Sequence, residues 1–157
     1  MSDEVQVRPA SADDVPQVAA LAAALVRMHH ETDPDRFLIV DDLEAGYGRF
    51  LSGEIRRTGA VVLVAGRGPH VSGYAYGTLD GRDWKVLLDV HGTIQDIFVA
   101  EAERGRGIGR ALLGETIAAL TTLGAPRLVL STMAGNVAAQ RLFRAAGFRP
   151  TLLEMTR

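Results

Sequence analysis

The chain has 157 residues, a length that favours one domain over two and suffices for one sizeable core. Apolar residues make up 47% and charged residues 23%, which excludes an intrinsically disordered chain. The formal net charge is −2, so no whole-chain field draws nucleic acid or an anionic membrane, and the absence of cysteine excludes disulfides, a thiol nucleophile and a cysteine-ligated metal.

The opening MSDEVQVRP is acidic before it is apolar, unlike a secretory signal. The longest apolar run, Val18 to Val26, is far shorter than the ~20 residues of a membrane span, so a cytoplasmic location is expected. Val5 and Val7 before Pro9 predict a first strand. Ser11 with Asp14 marks a helix start, and Val18, Leu21, Ala22 and Leu25 fall at i, i+3, i+4 and i+7, which predicts a helix to about His29. His29 to Asp42 is a connection containing Pro34. A second helix is predicted over Leu43 to Arg57, weakened by Gly46, Gly48 and Gly53. Ala60 to Ala65 is a strand, GRGPH a turn, and Val71 to Leu79 the returning strand. DGRD turns again, and a long strand ends in TIQDIFVA, Thr93 to Ala100. ERGRGIG opens a helix with Leu113, Ile117 and Leu120 on one face, stopped by Gly124 and Pro126. Arg127 to Thr132 is a strand without alternation, as expected when both faces are buried. Asn136 caps a helix to Ala146, and FRPTLLEMT is the predicted last strand. No repeat, linker or low-complexity tract interrupts residues 1–157, which predict a single domain. The fold class is α+β: β-α-α-β-β-β-α-β-α-β, one mixed, mostly antiparallel sheet with helices on both faces.

Two glycines at a helix start need a reason, because glycine weakens a helix. A helix start leaves N–H groups unpaired and carries partial positive charge. A strand, a glycine-rich turn and a helix therefore form an anion cradle, here Gly105, Arg106, Gly107, Ile108, Gly109 and Arg110, with Arg104 adding charge. A phosphate-binding P-loop would end in Lys-Ser/Thr, but Arg110 and Ala111 follow Gly109, and Lys85 is the only lysine. A dinucleotide fingerprint would want glycine at Arg110. The glycines could also serve only tight helix–strand packing.

Arg104-x-x-Gly107-x-Gly109 after Asp96-Ile97-Phe98-Val99 resembles the acyl-CoA signature of the GNAT superfamily of N-acetyltransferases. Asn136-x-x-Ala139-x-x-Leu142-Phe143-x-x-x-Gly147-Phe148 resembles the second family block, and the element order and VRPASADDVPQVAAL extend the resemblance over nearly the whole chain. The resemblance implies a GNAT-like fold in which the strand before the turn is bulged and splayed. Acetyl-CoA would lie in the splay. Its pantetheine arm would meet main-chain groups of Ile97, Phe98 and Val99, and its pyrophosphate the amides of Gly105 to Arg110. Asn136 matches a residue that contacts the CoA arm, and is equally natural as a helix cap.

The implied reaction moves an acetyl group from a thioester to a primary amine, by direct attack in a ternary complex. An ammonium has no lone pair, so a base is needed. Asp96 at the end of the central strand is the candidate, or else a structural acceptor; Glu154 in the last strand is the second. The family's usual tyrosine at Phe143, the proposed acid for the thiolate, is missing. Solvent, Tyr74 or Tyr76 would have to replace it. A non-catalytic acyl-CoA-binding regulator or sensor is the alternative.

No histidine pair has metal-ligand spacing, so no metal is expected, and His29 reads as a packing residue. Trp84 reads as ordinary turn packing and not as a base-stacking residue for nucleic acid. Glu31, Asp33, Asp35, Asp41 and Asp42 form either a solvated loop or an attractor for a cationic amine of a small molecule or peptide. The resemblance allows a homodimer.

Overall fold

Val61, Leu63 and Ala65 pack to one side of a strand, Val62 and Val64 to the other, and all five are buried. A strand apolar on both faces requires a helical layer against each. The computed structural model describes residues 4–157 and provides both layers. The elements are β1 (Gln6–Pro9), α1 (Val15–Thr32), α2 (Leu43–Glu54), β2 (Ala60–Arg67), β3 (His70–Asp80), β4 (His91–Val99), α3 (Ile108–Thr122), β5 (Leu128–Leu130) and α4 (Val137–Ala145). The sheet order is β1-β2-β3-β4-β5, antiparallel up to β4 and parallel between β4 and β5. This is the mixed, mostly antiparallel sheet that the sequence predicts.

One core lies between the sheet and α1 and α2, and joins Val18, Ala22 and Leu51 to Tyr74, Tyr76 and Phe98. The other lies against α3, and joins Leu112, Leu113 and Leu120 to Ala75 and Ile94, with Leu142 and Phe143 of α4 at its margin. The start of α1 is pinned through Asp14, which accepts from both guanidinium nitrogens of Arg8 at 2.7 and 2.8 Å and from the Ser11 amide at 2.8 Å. On α2, Glu54 accepts from Arg57 and from the hydroxyl of Tyr76, which ties the helix to β3.

Three expectations are corrected. FRPTLLEMT forms no strand, so the final β of the predicted order is missing; Leu152, Leu153 and Met155 are 84%, 77% and 85% exposed. Apolar residues mark a potential face, but a strand also needs a neighbour for its backbone. β5 is half-buried on all three residues instead of buried on both faces. Trp84 is 74% exposed, with the Arg82 guanidinium over its ring, so it is not packed into the turn.

Candidate active site

Strand β4 carries one residue more than its partner. Ile94 lies opposite Gly77 and Asp96 opposite Tyr76, so Gln95 is the extra residue of a bulge. A bulge reverses the alternation of side chains beyond it. Ile94 accordingly packs in the α3-side core and Phe98 in the α1/α2-side core. Asp96 is carried to the α1/α2 face, where the hydroxyl of Tyr74 donates to its Oδ2 at 3.0 Å. Burial raises the Asp96 carboxyl above its ordinary range, while the Tyr74 hydrogen bond and the neighbouring His29 pull it back. Burial, reinforced by the Asp96 charge, pushes the Tyr74 phenol well above its usual value and raises Tyr47 of α2 as well.

Among the described residues, the outer edge of β4 has no strand partner over the same stretch. β5 pairs only with Gly92, Thr93 and Ile94. The Ala100 amide donates to the Ser72 carbonyl at 2.8 Å. Antiparallel alternation counted back from that pair turns the main chain of Phe98 toward β3, and that of Ile97 and Val99 toward the open side. Arg104 Nε donates to the Val99 carbonyl at 2.9 Å, and its guanidinium lies 5.2 Å from the Phe98 ring centre.

The glycine turn follows directly. Gly105 and Gly107 have φ of 77° and 80°, the left-handed region that glycine enters without strain. A Cβ on either would meet nothing within 4 Å, so tight packing is not what selects glycine there. Gly107 is the N-cap of α3, and no side chain caps the helix. Residues from Arg104 to Gly107 are exposed, which leaves the first amides of α3 open to an anion. Arg106 leans on Glu103 at 3.0 Å, and Arg110 is exposed one turn away. Leu142 of α4 and Val99 both come within 4 Å of where a Cβ on Gly109 would sit, so the turn, the end of β4 and α4 converge.

The other candidates separate. Asn136 Oδ1 accepts from the Ala139 amide at 3.1 Å, the capping role foreseen for it. Phe143 packs edge-to-face on Phe148 with ring centres 6.3 Å apart. Glu154 lies on the exposed tail in a two-point ion pair with Arg36, which holds its carboxyl below the ordinary range. Tyr74 and Tyr76 both point their hydroxyls at carboxylates in the core opposite the one that holds Phe143.

Tyr74, Tyr47 and His29 enter the site without a motif to announce them. His29 Nδ1 lies 2.8 Å from the Leu25 carbonyl, which can only accept, so Nδ1 carries the hydrogen. The ring also stacks on Phe37 at 4.9 Å, and His30 Nδ1 donates to the Phe37 carbonyl, so both histidines pin the α1–α2 connection. A hollow of about 450 Å³ lies in that connection between Arg27 and Ile39–Leu43. Another, of about 560 Å³ and including Asp80, Trp84 and His91, opens at the far end of β4 from the glycine turn. Among the described residues, no group of three or more His, Asp or Glu side chains is placed to hold a metal ion, and no helix is long and apolar enough to cross a membrane.

The same fold is found in known proteins. The profile of the acetyltransferase (GNAT) family matches residues 21–148. No curated protein sequence matches the chain. Among solved structures, a variant of the BH1408 protein from Bacillus halodurans is 20% identical with a TM-score of 0.82, over 97% of this chain and 98% of that one. A transcriptional regulator from Bacillus halodurans C-125 is 22% identical with a TM-score of 0.76, over 98% and 99%. The aminoglycoside N-acetyltransferase AAC(6')-Iy, solved in complex with CoA, is 17% identical with a TM-score of 0.74, over 100% and 95%. At these identities the likeness is one of fold. With more than half of the chain matched by the family profile, this protein belongs to the GNAT acetyltransferase family.

Proposed function

We propose that the protein transfers an acetyl group from acetyl-CoA to a primary amine by direct attack in a ternary complex, as a single cytoplasmic domain. One observation carries the reading: an uncapped, glycine-opened start of α3 directly follows a strand whose outer edge is unpaired, in a chain of an acetyltransferase family. The residues fit the co-substrate. The amides of Gly105 to Arg110 suit a pyrophosphate, and the outward main-chain groups of Ile97 and Val99 suit the amides of a pantetheine arm. Arg104 and Arg110 add charge, and Asn136 and Phe143 flank the arm. Acetyl-CoA, when bound, supplies an acyl group activated as a thioester.

The chain's own residues do the rest. Asp96 takes the proton from the amine, directly or through one water, as the new N–C bond forms and the C–S bond breaks. The Ile97 or Val99 amide faces the open side of β4 and is the donor for charge gathering on the acyl oxygen. The departing sulfur takes its proton from solvent, because Phe143 has none to give and the hydroxyls of Tyr74 and Tyr76 are engaged. Glu154 is tied to Arg36 and is not used.

A second reading, an acyl-CoA-binding regulator without turnover, is favoured by Phe143 in place of the acid. Thiol release from acetyl-CoA over a panel of an aminoglycoside, a polyamine, a peptide N-terminus and a lysine peptide separates the two. Turnover on any amine supports the transferase. Saturable CoA binding with no turnover on every amine supports the regulator.

A further inference from the structure

We propose that Tyr74 is a positioning residue for Asp96: its hydroxyl holds Oδ2 and leaves Oδ1 as the oxygen presented to the acceptor's proton. The inference rests on the reading of Asp96 as the base. A carboxylate has two equivalent oxygens and a soft terminal torsion, so a base needs something to fix its plane. The bulge at Gln95 delivers Asp96 to the correct face but does not choose its rotamer. Tyr74 does. It is 0% exposed, in the same core as Val18, Ala22 and Leu51, and its ring has two side-chain torsions, so burial restrains its oxygen. The 3.0 Å bond runs from hydroxyl to carboxylate, because an ionised carboxylate can only accept.

The neighbouring pair shows the contrast. Tyr76 lies on the same face, and its hydroxyl donates to Glu54, which is also paired with Arg57 at 2.8 Å. Glu54 has both oxygens engaged by Arg57 and serves to hold α2. Asp96 has no salt-bridge partner among the described residues, and Tyr74 engages only one of its oxygens. The groups that face Asp96 are Tyr74 and Tyr76 from β3, Tyr47 from α2 and His29 from α1. Burial keeps the Tyr74 phenol protonated, so it remains a donor throughout the working range.

The test is a carbon-13 NMR titration of the Asp96 carboxyl in the full chain saturated with CoA. Tyr74→Phe removes a hydrogen bond to a charged group, so the Asp96 midpoint is expected to rise by about one pH unit. With the most active amine of the panel, kcat at neutral pH should fall with KM for acetyl-CoA unchanged. An unmoved midpoint overturns the proposal. Should Tyr74→Phe not fold, 3-fluorotyrosine in place of Tyr74 keeps the shape and donates more strongly; the midpoint then drops, and an unmoved midpoint again overturns the proposal. Asp96→Asn is assayed in parallel. Full activity there removes the base itself and the positioning role with it. An inactive Asp96→Asn beside an unmoved Tyr74→Phe midpoint removes the positioning role alone.

Discussion

Ile94 and Phe98 lie four residues apart on one strand and pack into opposite cores. In a regular strand, residues four apart share a face. The single extra residue, Gln95, opposes this and turns Asp96 away from α3 toward the tyrosines of β3. The chemistry proposed for this protein depends on that reversal.

Asp96→Asn keeps the shape and an acceptor for Tyr74 but removes the proposed base. The kcat is expected to fall about 10²–10⁴-fold with CoA affinity retained. Stability should move the other way. Burial raises the Asp96 carboxyl in the folded state, so the native chain holds the proton to higher pH than the unfolded one, and stability declines as pH rises through that range. At neutral pH the amide variant should therefore melt no lower than the parent. Glu154→Gln removes only a solvent-exposed ion pair and should leave kcat nearly unchanged. Steady-state kinetics and melting curves of the two variants, side by side, check both statements.

Asp14 titrates with the opposite sign. The Arg8 hydrogen bonds hold its carboxyl far below the ordinary range, against a smaller opposing effect of burial. Its contribution is fully present above the unfolded value of about 3.9 and is lost as pH falls below it. Arg8 is 41% exposed, so solvent screening limits the ion pair, and with the Ser11 contacts Asp14→Asn should cost about 1–2 kcal/mol at pH 7. Denaturant unfolding at pH 7 and pH 3 should show that cost shrinking in acid.

Gly107 and Gly114 separate conformation from helix propensity within one helix. Gly107 has φ of 80°, so Gly107→Val should cost about 1–2 kcal/mol and weaken CoA binding at least about tenfold, since a branched side chain stands where the anion approaches. Gly114 lies in mid-helix with open space around it, so Gly114→Ala should stabilise by about 0.5–1 kcal/mol with CoA affinity untouched. Calorimetric titration with CoA and thermal melting read both.

Phe143→Tyr restores the hydroxyl that the family pattern expects. The side chain is half-buried beside Phe148, and the variant should retain activity if, as proposed, solvent protonates the leaving sulfur. Complete loss of turnover with CoA binding intact would show that position 143 does not lie beside the sulfur.

The α1–α2 connection carries Asp33, Asp35, Asp41 and Asp42, all exposed. If they attract a cationic amine, neutralising the four raises acceptor KM and flattens its salt dependence while KM for acetyl-CoA stays fixed. An unchanged acceptor KM at low and high salt would mark them as a solvated loop.

The glycine turn was readable because its residue types are the conformational requirement: positive φ at Gly105 and Gly107, and no capping side chain. The helix over α1 was readable from its 3.6-residue spacing. The family resemblance implied a bulge in this strand, but its position was not readable, because Gln95 has no property that marks an unpaired position; it follows from register against β3. For the same reason Tyr74 and His29 could not be placed beside Asp96. The tail FRPTLLEMT has the composition of a strand, but composition does not reveal whether an edge waits for it. Trp84 misled in the same way: a large apolar side chain in a turn carries no information about whether a surface exists to cover it.

The most direct measurement is a backbone amide map during titration with CoA. The largest shifts should fall on Gly105 to Arg110 and on Ile97 and Val99, and should saturate together. Shifts centred instead on the β3–β4 turn around Trp84, with the glycine turn silent, would contradict it.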